Sequence, residues 1–263
     1  MITRLTIALC ALVLFGYALT HAALAKPTHC IGCDFARADL HGRDFRDVDY
    51  TGADFKGANL QNADFSGSKL TGADFNDADL RGANFRNVDC TGCDFRGARL
   101  AGAHMQGVKL TGADLRDAVN GMSSEELRAM LNECTGCDLR GANFSGKDLS
   151  QVTVIGANMQ DVNASSTRFT NARLIGSDFR RADLRNADFS GAALCWHNRT
   201  STDGDTVTTG TDCADLREAD VRGARLNGLR LCDKERDVWN CTSVDAATLR
   251  RYSGSSLEGA VLP

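Results

Sequence analysis

Several features that mark common classes of protein are scarce in this chain. Its 263 residues include 2 prolines, and aromatic residues make up 6%. Neither sign of charge dominates, because 30 Lys and Arg accompany 34 Asp and Glu, for a formal net charge of −4. A mildly acidic chain is unsuited to wrapping nucleic acid. No serine-hydrolase, zinc-protease or phosphate-loop motif occurs either. The sequence therefore predicts no enzyme, no metal site, no cofactor and no nucleic-acid partner.

A long apolar run occurs near the N-terminus, over residues 5–19. It follows Arg4 and precedes a small-x-small stretch at 23–25, which is the pattern of a secretory signal. The run is shorter than the roughly 20 residues that a membrane span needs. We therefore predict a signal peptide over residues 1–25, cleaved after Ala25, and a periplasmic or secreted chain with no membrane span.

An internal repeat is the most abundant feature of the chain. The phrase Thr-Gly-Ala-Asp-Phe at 51–55 returns at 71–75, and close variants stand at 91–95 and 111–115. Within this twenty-residue period runs a period of five: a small residue, then Asp or Asn, then Leu or Phe. Two inward positions in five fit neither the 3.6-residue period of a helix nor the two-residue period of a strand. They fit a chain that turns a corner every five residues and closes a square after four sides.

Residues twenty apart should stack in columns on successive coils. We call the Leu or Phe of each pentad its centre. Columns of like side chains bury a continuous core in a solenoid. The predicted columns are Phe35, Phe55, Phe75 and Phe95; Phe45, Phe65, Phe85 and Met105; and Leu40, Leu60, Leu80 and Leu100 between them, with an outward row of Thr51, Thr71, Thr91 and Thr111.

The pentads resemble those of the pentapeptide-repeat family, whose consensus A(D/N)LXX is met repeatedly from Cys33 to Leu231. The resemblance implies an all-β solenoid, a right-handed quadrilateral parallel β-helix. It also implies a function, since some members resemble a DNA duplex in shape and charge and bind DNA gyrase. Here arginines are interleaved with the aspartates, and export would separate the chain from a cytosolic target, so this function ranks second.

Two segments interrupt the repeat. Ser123 and Glu126 have the spacing of a capping box, and apolar residues follow them at helical intervals. This pattern predicts a short helix within 118–133. The flanking centres Leu115 and Leu139 are 24 residues apart, so we expect the helix to replace part of one coil without loss of register. The second interruption, 197–213, is rich in Thr, Asp and Gly and is predicted to be a loop.

These interruptions divide the mature chain. We predict a first part of the β-helix over 26–117 and a second part over 134–196, separated by the inserted helix. The last coil or coils and a C-terminal cap, with a short helix near 245–251, occupy 214–263. A cap is expected because the end of a solenoid exposes unpaired strand edges.

Ten cysteines follow the predicted signal, an even number that is typical of disulfides in an exported protein. Six form CxxC pairs at one corner of different coils: Cys30 with Cys33, Cys90 with Cys93, and Cys134 with Cys137. The pairs lie two or three coils apart, about 10 or 14 Å. Because a disulfide needs Cα atoms within about 7 Å, bonds or a zinc site between pairs are excluded. Within each pair, a local disulfide, reduced core thiols and a redox-active dithiol all stay open.

The last four cysteines allow three connectivities. We favour Cys195 with Cys213 and Cys232 with Cys241, because each bond would close the base of a loop. A ladder bond between Cys195 and Cys232 is the alternative, since both follow centres of one column on neighbouring coils.

The sequence predicts a rigid, non-enzymatic scaffold that binds an unknown protein partner in the envelope or outside the cell. Loops on a rigid frame usually carry recognition, so the expected contact features are Glu125, Arg128, Trp196, His197 and Arg199. The alternatives are a gyrase-binding DNA mimic and a thiol–disulfide redox protein that uses the CxxC pairs. A homodimer through one end of the solenoid is left open.

Overall fold

The computed structural model describes residues 29–202, 206–216, 218–235 and 238–243. Two compact units divide the chain: unit 1 ends at Asp114, and unit 2 begins at Leu115. Each is a right-handed quadrilateral parallel β-helix, as predicted. The predicted signal peptide and the predicted helix near 245–251 lie outside the described residues.

The coils of unit 1 are joined by parallel β-bridges between residues twenty apart. The amide of each centre donates to the carbonyl nineteen residues later, as from Phe35 to Asp54 at 2.7 Å. The amide before each centre donates to the carbonyl twenty-one residues earlier, as from Asp54 to Cys33 at 2.8 Å. One bridge joins each side of a coil to the next coil, and turn amides add further bonds, as from Gly52 to the Thr71 carbonyl at 3.0 Å. The backbone is therefore bonded without a long strand.

Two facing phenylalanine columns dominate the core of unit 1. Rings within a column stack, as Phe55 and Phe75 do at 5.0 Å and 2° between planes. Rings of the facing columns meet edge to face, as Phe65 and Phe75 do at 5.7 Å and 86°. Both arrangements are favourable for aromatic pairs. Every predicted centre from Phe35 to Leu110 is buried, which confirms the columns.

Each corner is a four-residue turn. The amide of the small residue donates to the carbonyl of the preceding centre, as from Ala53 to Tyr50 at 2.9 Å. The third residue of the turn has positive φ, 66° at Gly52 and 58° at Asp77, which is typical of a type II turn. Gly adopts this conformation without steric cost, and Asn and Asp tolerate it. Gly, Asn or Asp therefore follows most centres at the second position.

Unit 2 contains one helix in its described part, α1, over Ser124–Leu131. It begins where Ser123 Oγ accepts the Glu126 amide at 3.2 Å and the Glu126 carboxylate accepts the Ser123 amide, which confirms the predicted capping box. Leu127 and Leu131 are buried on its inner face. No helix in the described ranges has the length and apolar character of a membrane span.

The coil that carries α1 returns to register. The Leu115 amide donates to the Asp138 carbonyl at 2.8 Å, four residues further along the chain than the standard spacing. Later coils of unit 2 resume the twenty-residue bridges, as between Asp138 and Asn158. The predicted conservation of register is therefore confirmed.

Unit 2 also carries a four-stranded sheet of two hairpins. β1 (Ala193–Thr202) pairs antiparallel with β2 (Thr206–Cys213), and β3 (Arg230–Glu235) pairs antiparallel with β4 (Val238–Ser243). β1 also pairs parallel with β3, so the strand order is β2-β1-β3-β4. Two successive coils therefore each extend into a hairpin.

The prediction of a loop over 197–213 is wrong, because this segment belongs to the β1–β2 hairpin. Its Thr and Val residues are β-branched and favour extended backbone, whereas its Gly and Asp suggested a loop. The coil resumes after β2, where Asp178 bridges to Asp215. The β3–β4 hairpin was not predicted either.

Candidate binding surfaces

The aspartate before each centre bonds to the backbone of its own turn. Asp64 Oδ1 accepts the Ser66 amide at 2.9 Å, and Asp34 Oδ1 accepts the Ala36 amide at 3.0 Å. Such Asx turns recur in both units. In the part of the chain that the structure describes, no group of three or more His, Cys, Asp or Glu could hold a metal ion. The many aspartates are thus accounted for by the turns.

Arginines two residues beyond these aspartates clamp the carboxylates. Arg81 donates from Nε and Nη2 to the two oxygens of Asp79 at 2.8 and 2.6 Å. This bidentate, charge-assisted pair lowers the pKa of Asp79 against the opposing effect of partial burial. Other clamps also approach the next coil, as Arg46 Nε does at 3.9 Å from Asp64. The outward charges are therefore held in fixed positions.

Two charged rows run along unit 1. In the alternating row, Lys69 Nζ lies 3.4 Å from Asp49, and Lys109 Nζ lies 3.8 Å from Asp89. The aspartate row is uniform in sign, and its members are bridged from coil to coil: Asp34, Asp54, Asp74, Asp94 and Asp114. The alternating row is nearly neutral. The aspartate row has one carboxylate per coil, but Arg96 is paired with Asp94 and its Nε lies 3.6 Å from Asp114 Oδ2.

The predicted threonine row lies beside the alternating row. Thr51 Oγ1 donates to Asp49 Oδ1 at 2.5 Å, and this bond lowers the pKa of Asp49. A glycine follows each threonine, and the space where its side chain would stand is open, at Gly52, Gly72, Gly92 and Gly112. The result is a narrow strip with few projecting side chains.

The six CxxC cysteines form three local pairs, and each pair is joined as a disulfide in the structure. The Cα atoms are 5.4 Å apart in the pair of Cys30 and Cys33, 5.2 Å apart in the pair of Cys90 and Cys93, and 5.6 Å apart in the pair of Cys134 and Cys137. Of the three alternatives that the sequence left open, the local disulfide is therefore the one that the geometry favours.

The second cysteine of each pair takes the small inward position of its coil. Cys93 and Cys137 are both buried, 1% and 0% exposed, and Cys93 Sγ lies 3.2 Å from the Leu70 carbonyl oxygen. Both are disulfide-bonded in the structure, which favours the disulfide over the reduced core thiol that the sequence also allowed. Thiol exchange needs an exposed, low-pKa thiolate, so this burial disfavours the redox alternative as well. The oxidation state of these cysteines in the native protein stays a prediction.

The other four cysteines lie on the hairpins. Cys195 is the Cα partner of Cys213, and Cys232 is the Cα partner of Cys241. Between β1 and β3, the partner of Cys232 is Trp196. Opposed residues of antiparallel strands lie about 4.5–5.5 Å apart, within the range of a disulfide. The register favours the two hairpin bonds over the ladder bond, and the connectivity stays a prediction.

The predicted contact residues of α1 border a surface cavity of about 570 Å³. Glu125 is exposed at its rim, whereas Arg128 is half-buried. Arg128 Nη1 donates to the carbonyl of Asp148 at 3.0 Å. Arg128 is therefore committed to the fold, and Glu125 is the more available contact residue.

The other three predicted contact residues lie together on β1. Trp196 pairs with Asp212, His197 with Thr211 and Arg199 with Thr209 of β2 in the strand register. The candidate contacts therefore belong to two elements of unit 2, the helix and the hairpin sheet.

A polar groove of about 390 Å³ on unit 2 was not predicted. It is lined by Lys147, Arg168 and Arg225 together with Asp148 and Asp188. Arg168 Nη1 lies 3.2 Å from Asp148 Oδ2. One residue in the sequence could have indicated this groove. Lys147 stands two residues before the centre Leu149, at a position where most pentads have a small residue.

A sequence model of the family described as pentapeptide repeats matches eight copies of the motif. The matched residues are 51–87, 78–117, 133–171 and 165–196. A comparison with curated proteins gives no match.

Three solved structures are similar to this chain. QnrB1, a plasmid-mediated fluoroquinolone resistance protein, is 21% identical over 76% of this chain and 81% of that chain, with a TM-score of 0.41. HetL, a pentapeptide repeat protein involved in heterocyst differentiation regulation from Nostoc sp. strain PCC 7120, is 24% identical over 76% of this chain and 84% of HetL, with a TM-score of 0.38. A pentapeptide repeat protein from the Arabidopsis thaliana thylakoid lumen is 33% identical over 40% of this chain and 77% of that protein, with a TM-score of 0.24.

Proposed function

This chain belongs to the pentapeptide-repeat family, and from that premise we propose that it is a non-enzymatic, exported scaffold that binds a protein partner. The observation that carries the proposal is the fixed arrangement of its outward side chains. Turn amides and arginines hold the carboxylates in rows, as Arg81 holds Asp79. A surface that is ordered before binding loses little conformational freedom when a partner docks.

The same bonding weighs against catalysis. An acid–base site needs titratable groups that converge on one reacting atom. Here many of the carboxylates that precede a centre are bonded to their own turns, as Asp64 is to Ser66, and successive members of a row are one coil apart. This arrangement suits recognition of an extended surface.

The partner site is proposed at the two elements that depart from the plain coil, α1 and the β1–β2 hairpin. A photo-crosslinking amino acid at Glu125 or at Arg199, in cells of the native host, tests this assignment. Ser66, on an uninterrupted coil of unit 1, is the matched control. We expect one adduct of defined mass from Glu125 or Arg199 and none from Ser66. Equal adducts from all three positions, or none from any, would contradict the assignment.

Export is tested by the intact mass of protein from its native host, denatured and alkylated without reductant. A chain that begins near Lys26 and carries no alkylated thiol supports an exported, disulfide-bonded scaffold. A full-length chain with every thiol alkylated contradicts export and favours the second candidate below.

The second candidate is a DNA-mimicking protein that binds gyrase. The aspartate row of unit 1 favours it, since it places one carboxylate on each of five successive coils, about 4.8 Å apart. Arg96 offsets part of this charge, because it pairs with Asp94 and lies near Asp114. A gyrase supercoiling assay tests it, with Asp74→Lys in the row and Asp49→Lys in the alternating row as the matched control. Inhibition that the Asp74 variant weakens more than the control supports mimicry, and no effect at micromolar protein excludes it.

A further inference from the structure

Several outward arginines of unit 2 are committed to aspartates of their own turn. Each of them holds the aspartate two residues before it with Nε and Nη2, and the set comprises Arg140, Arg180, Arg185 and Arg222. Their bidentate donors are thereby used within the fold.

The polar groove of unit 2 is built differently. Its lining comes from four successive coils and consists of two rows. In one row the sign of the charge alternates, and each member is joined to the next by a β-bridge: Asp148, Arg168, Asp188 and Arg225. The other row belongs to the turns: Gly146, Ser166, Asn186 and Gly223. The groove therefore extends over three coil spacings, about 14 Å.

The two carboxylates of the groove are engaged by their own turns. Asp148 Oδ1 accepts the Ser150 amide at 3.0 Å and the Ser150 hydroxyl at 2.6 Å. Asp188 Oδ1 accepts the Ser190 amide at 2.9 Å. Both carboxylates thus have hydrogen-bond partners without a ligand in the groove.

The cations of the groove keep unused donors. Arg168 makes one side-chain hydrogen bond, from Nη1 to Asp148 Oδ2 at 3.2 Å, so most of its N–H donors are unused. The side chains of Lys147 and Arg225 make no hydrogen bond or ion pair with any residue that the structure describes, and the same is true of Ser166 and Asn186. Three cations outnumber two engaged carboxylates, so the groove is suited to an anion.

We propose that this groove binds an extended acidic segment of the protein partner. A guanidinium group matches a carboxylate through two parallel hydrogen bonds, and Arg225 has this fork available. An extended chain advances about 3.4 Å per residue, and alternate side chains point to the same side. Carboxylates four residues apart are therefore about 14 Å apart, which matches the three coil spacings from Lys147 to Arg225.

The position of the groove agrees with the partner site proposed above. Asp148 lines both the groove and the cavity beside α1. A partner that contacts α1 can therefore place an adjoining segment along the groove. The choice of a polypeptide rests on the proposed function, that of a scaffold that binds protein.

Fluorescence anisotropy of a labelled hexaglutamate peptide, titrated with the full chain at low salt, tests the inference. Arg225→Gln should weaken binding about two- to fivefold, the effect of one exposed ion pair. The double variant Lys147→Gln, Arg225→Gln should weaken it by about the product of the single effects, because the two sites are too far apart to couple. If the double variant does not fold, the exposed Arg225 alone carries the test.

Arg86→Gln is the matched control. Arg86 is an exposed cation of unit 1 whose side chain has no bond to a described residue, and its replacement changes the net charge equally. It should leave peptide binding unchanged, and a hexaglutamine peptide should not bind. An equal loss from Arg86→Gln and Arg225→Gln, or no binding of hexaglutamate, would overturn the inference.

Two further probes distinguish the sources of carboxylate. Citrate should bind more weakly than hexaglutamate, since a small anion cannot span the groove, and equal affinity would contradict an extended ligand. Alginate, a carboxylated polysaccharide, should not replace the peptide; if it binds through Arg225 and hexaglutamate does not, the polypeptide assignment is wrong.

The outcome is separable from that of the proposed function. Crosslinked adducts from Glu125 or Arg199 without peptide binding would overturn the groove assignment and leave the scaffold in place. Peptide binding that depends on Arg225 without any such adduct would support the groove and contradict the partner site at α1 and the hairpin.

Discussion

Unit 1 and unit 2 are built from the same kind of coil, but they differ in how continuously the coils follow one another. Unit 1 repeats the coil without interruption, and its rings stack from coil to coil, as Phe75 does with Phe55 and Phe95. Unit 2 contains α1 and two hairpins. Hydroxyl side chains are buried in both cores, Ser68 in unit 1 and Thr167 and Ser177 in unit 2. In unit 2, Thr167 Oγ1 donates to the Phe144 carbonyl at 2.7 Å.

The difference separates two roles of the repeat. The bridges between coils need backbone amides and carbonyls, and they persist in both units. The aromatic columns need like residues at twenty-residue intervals, which an interrupted chain supplies less regularly. Continuity therefore governs the packing of the core more than it governs the ladder.

The largest loss of stability is expected from removing one ring from an aromatic column. Phe75 stacks with two rings and meets two more edge to face, whereas Phe179 makes only edge contacts among the described rings. Phe75→Ala should lower the free energy of unfolding by about 4 kcal/mol, and Phe179→Ala should lower it by about 1 kcal/mol less. Urea unfolding measures both. Equal losses would mean that ring stacking does not distinguish the units.

The next largest effect is expected from replacing turn glycines by alanine, first in unit 1. An added Cβ at Gly82 would stand 2.3 Å from Asn62 Oδ1, whereas at Gly72 it meets nothing within 4 Å. Both glycines have positive φ, so Ala at either position should cost about 1–2 kcal/mol. Gly82→Ala should cost less than about 0.5 kcal/mol more, because the contact atom ends the exposed Asn62 side chain, which can rotate away. Asn62→Gly in the same chain should remove the difference, and its persistence would disprove the proposed contact.

The same comparison extends to unit 2. An added Cβ at Gly191 lies 2.4 Å from Asn171 Oδ1, and at Gly156 it meets nothing within 4 Å. The excess cost of Gly191→Ala over Gly156→Ala should match that in unit 1. A clear mismatch in the urea midpoints would show that the corners of the two units differ.

Acid should weaken both units in one pH window. The pKa of Asp79 in unit 1 is lowered by its bond to Arg81, and that of Asp220 in unit 2 is lowered to about 2 by its bond to Arg222. Carboxylates with a lowered pKa stabilise the fold fully above their ordinary value of 3.8. That stabilisation is lost as the pH falls from 3.8 toward 2. Thermal unfolding between pH 5 and pH 2 should show this loss.

Arg222→Met offers a matched control for the acid effect. Without the guanidinium, the pKa of Asp220 should rise toward 3.8, because the hydrogen bond is its largest cause of lowering. An NMR titration of Asp220 follows the change. An unchanged pKa would show that the clamp is not formed in solution.

The smallest effect is expected from the alternating charges. Lys69 lies beside Asp49 in unit 1, and Arg168 lies beside Asp148 in unit 2. Replacing either cation by Gln should cost less than about 1 kcal/mol, because both pairs are exposed. The loss should vanish in about 1 M salt. A cost that survives high salt would indicate packing instead of charge.

The sequence predicts most of the coil because one phrase determines several features at once. Ala53, Asp54 and Phe55 are small-inward, outward and large-inward residues, and the structure places them so. The turn glycines follow from the same phrase. Periodicity thus supplied the columns, the corners and the return to register after α1.

The departures from the coil could not be predicted in the same way. Asn120 and Asn132 have no counterparts twenty residues away, so the bonds that they accept from amides of the coil over 138–157 leave no periodic signal. The hairpins are encoded by β-branched residues within a polar segment, and a strand register depends on pairing across the chain. The sequence placed Glu125 on its helix but assigned Arg199 to a loop, where the structure has strand β1. The role of both residues in binding stays a prediction.

The coil length also bears on how such a gene can change. A duplication or deletion of twenty residues returns the chain to the same column, so the core is rebuilt without a new sequence. An insertion of any other length is accommodated when the inserted segment leaves the coil at a corner and returns to the same corner. Asp178 and Asp215 are bridged although 37 residues apart, as if the hairpin were not there. The chain can therefore grow by whole coils, each adding about 4.8 Å, or gain an appendage at a corner, and neither change alters the coils already present.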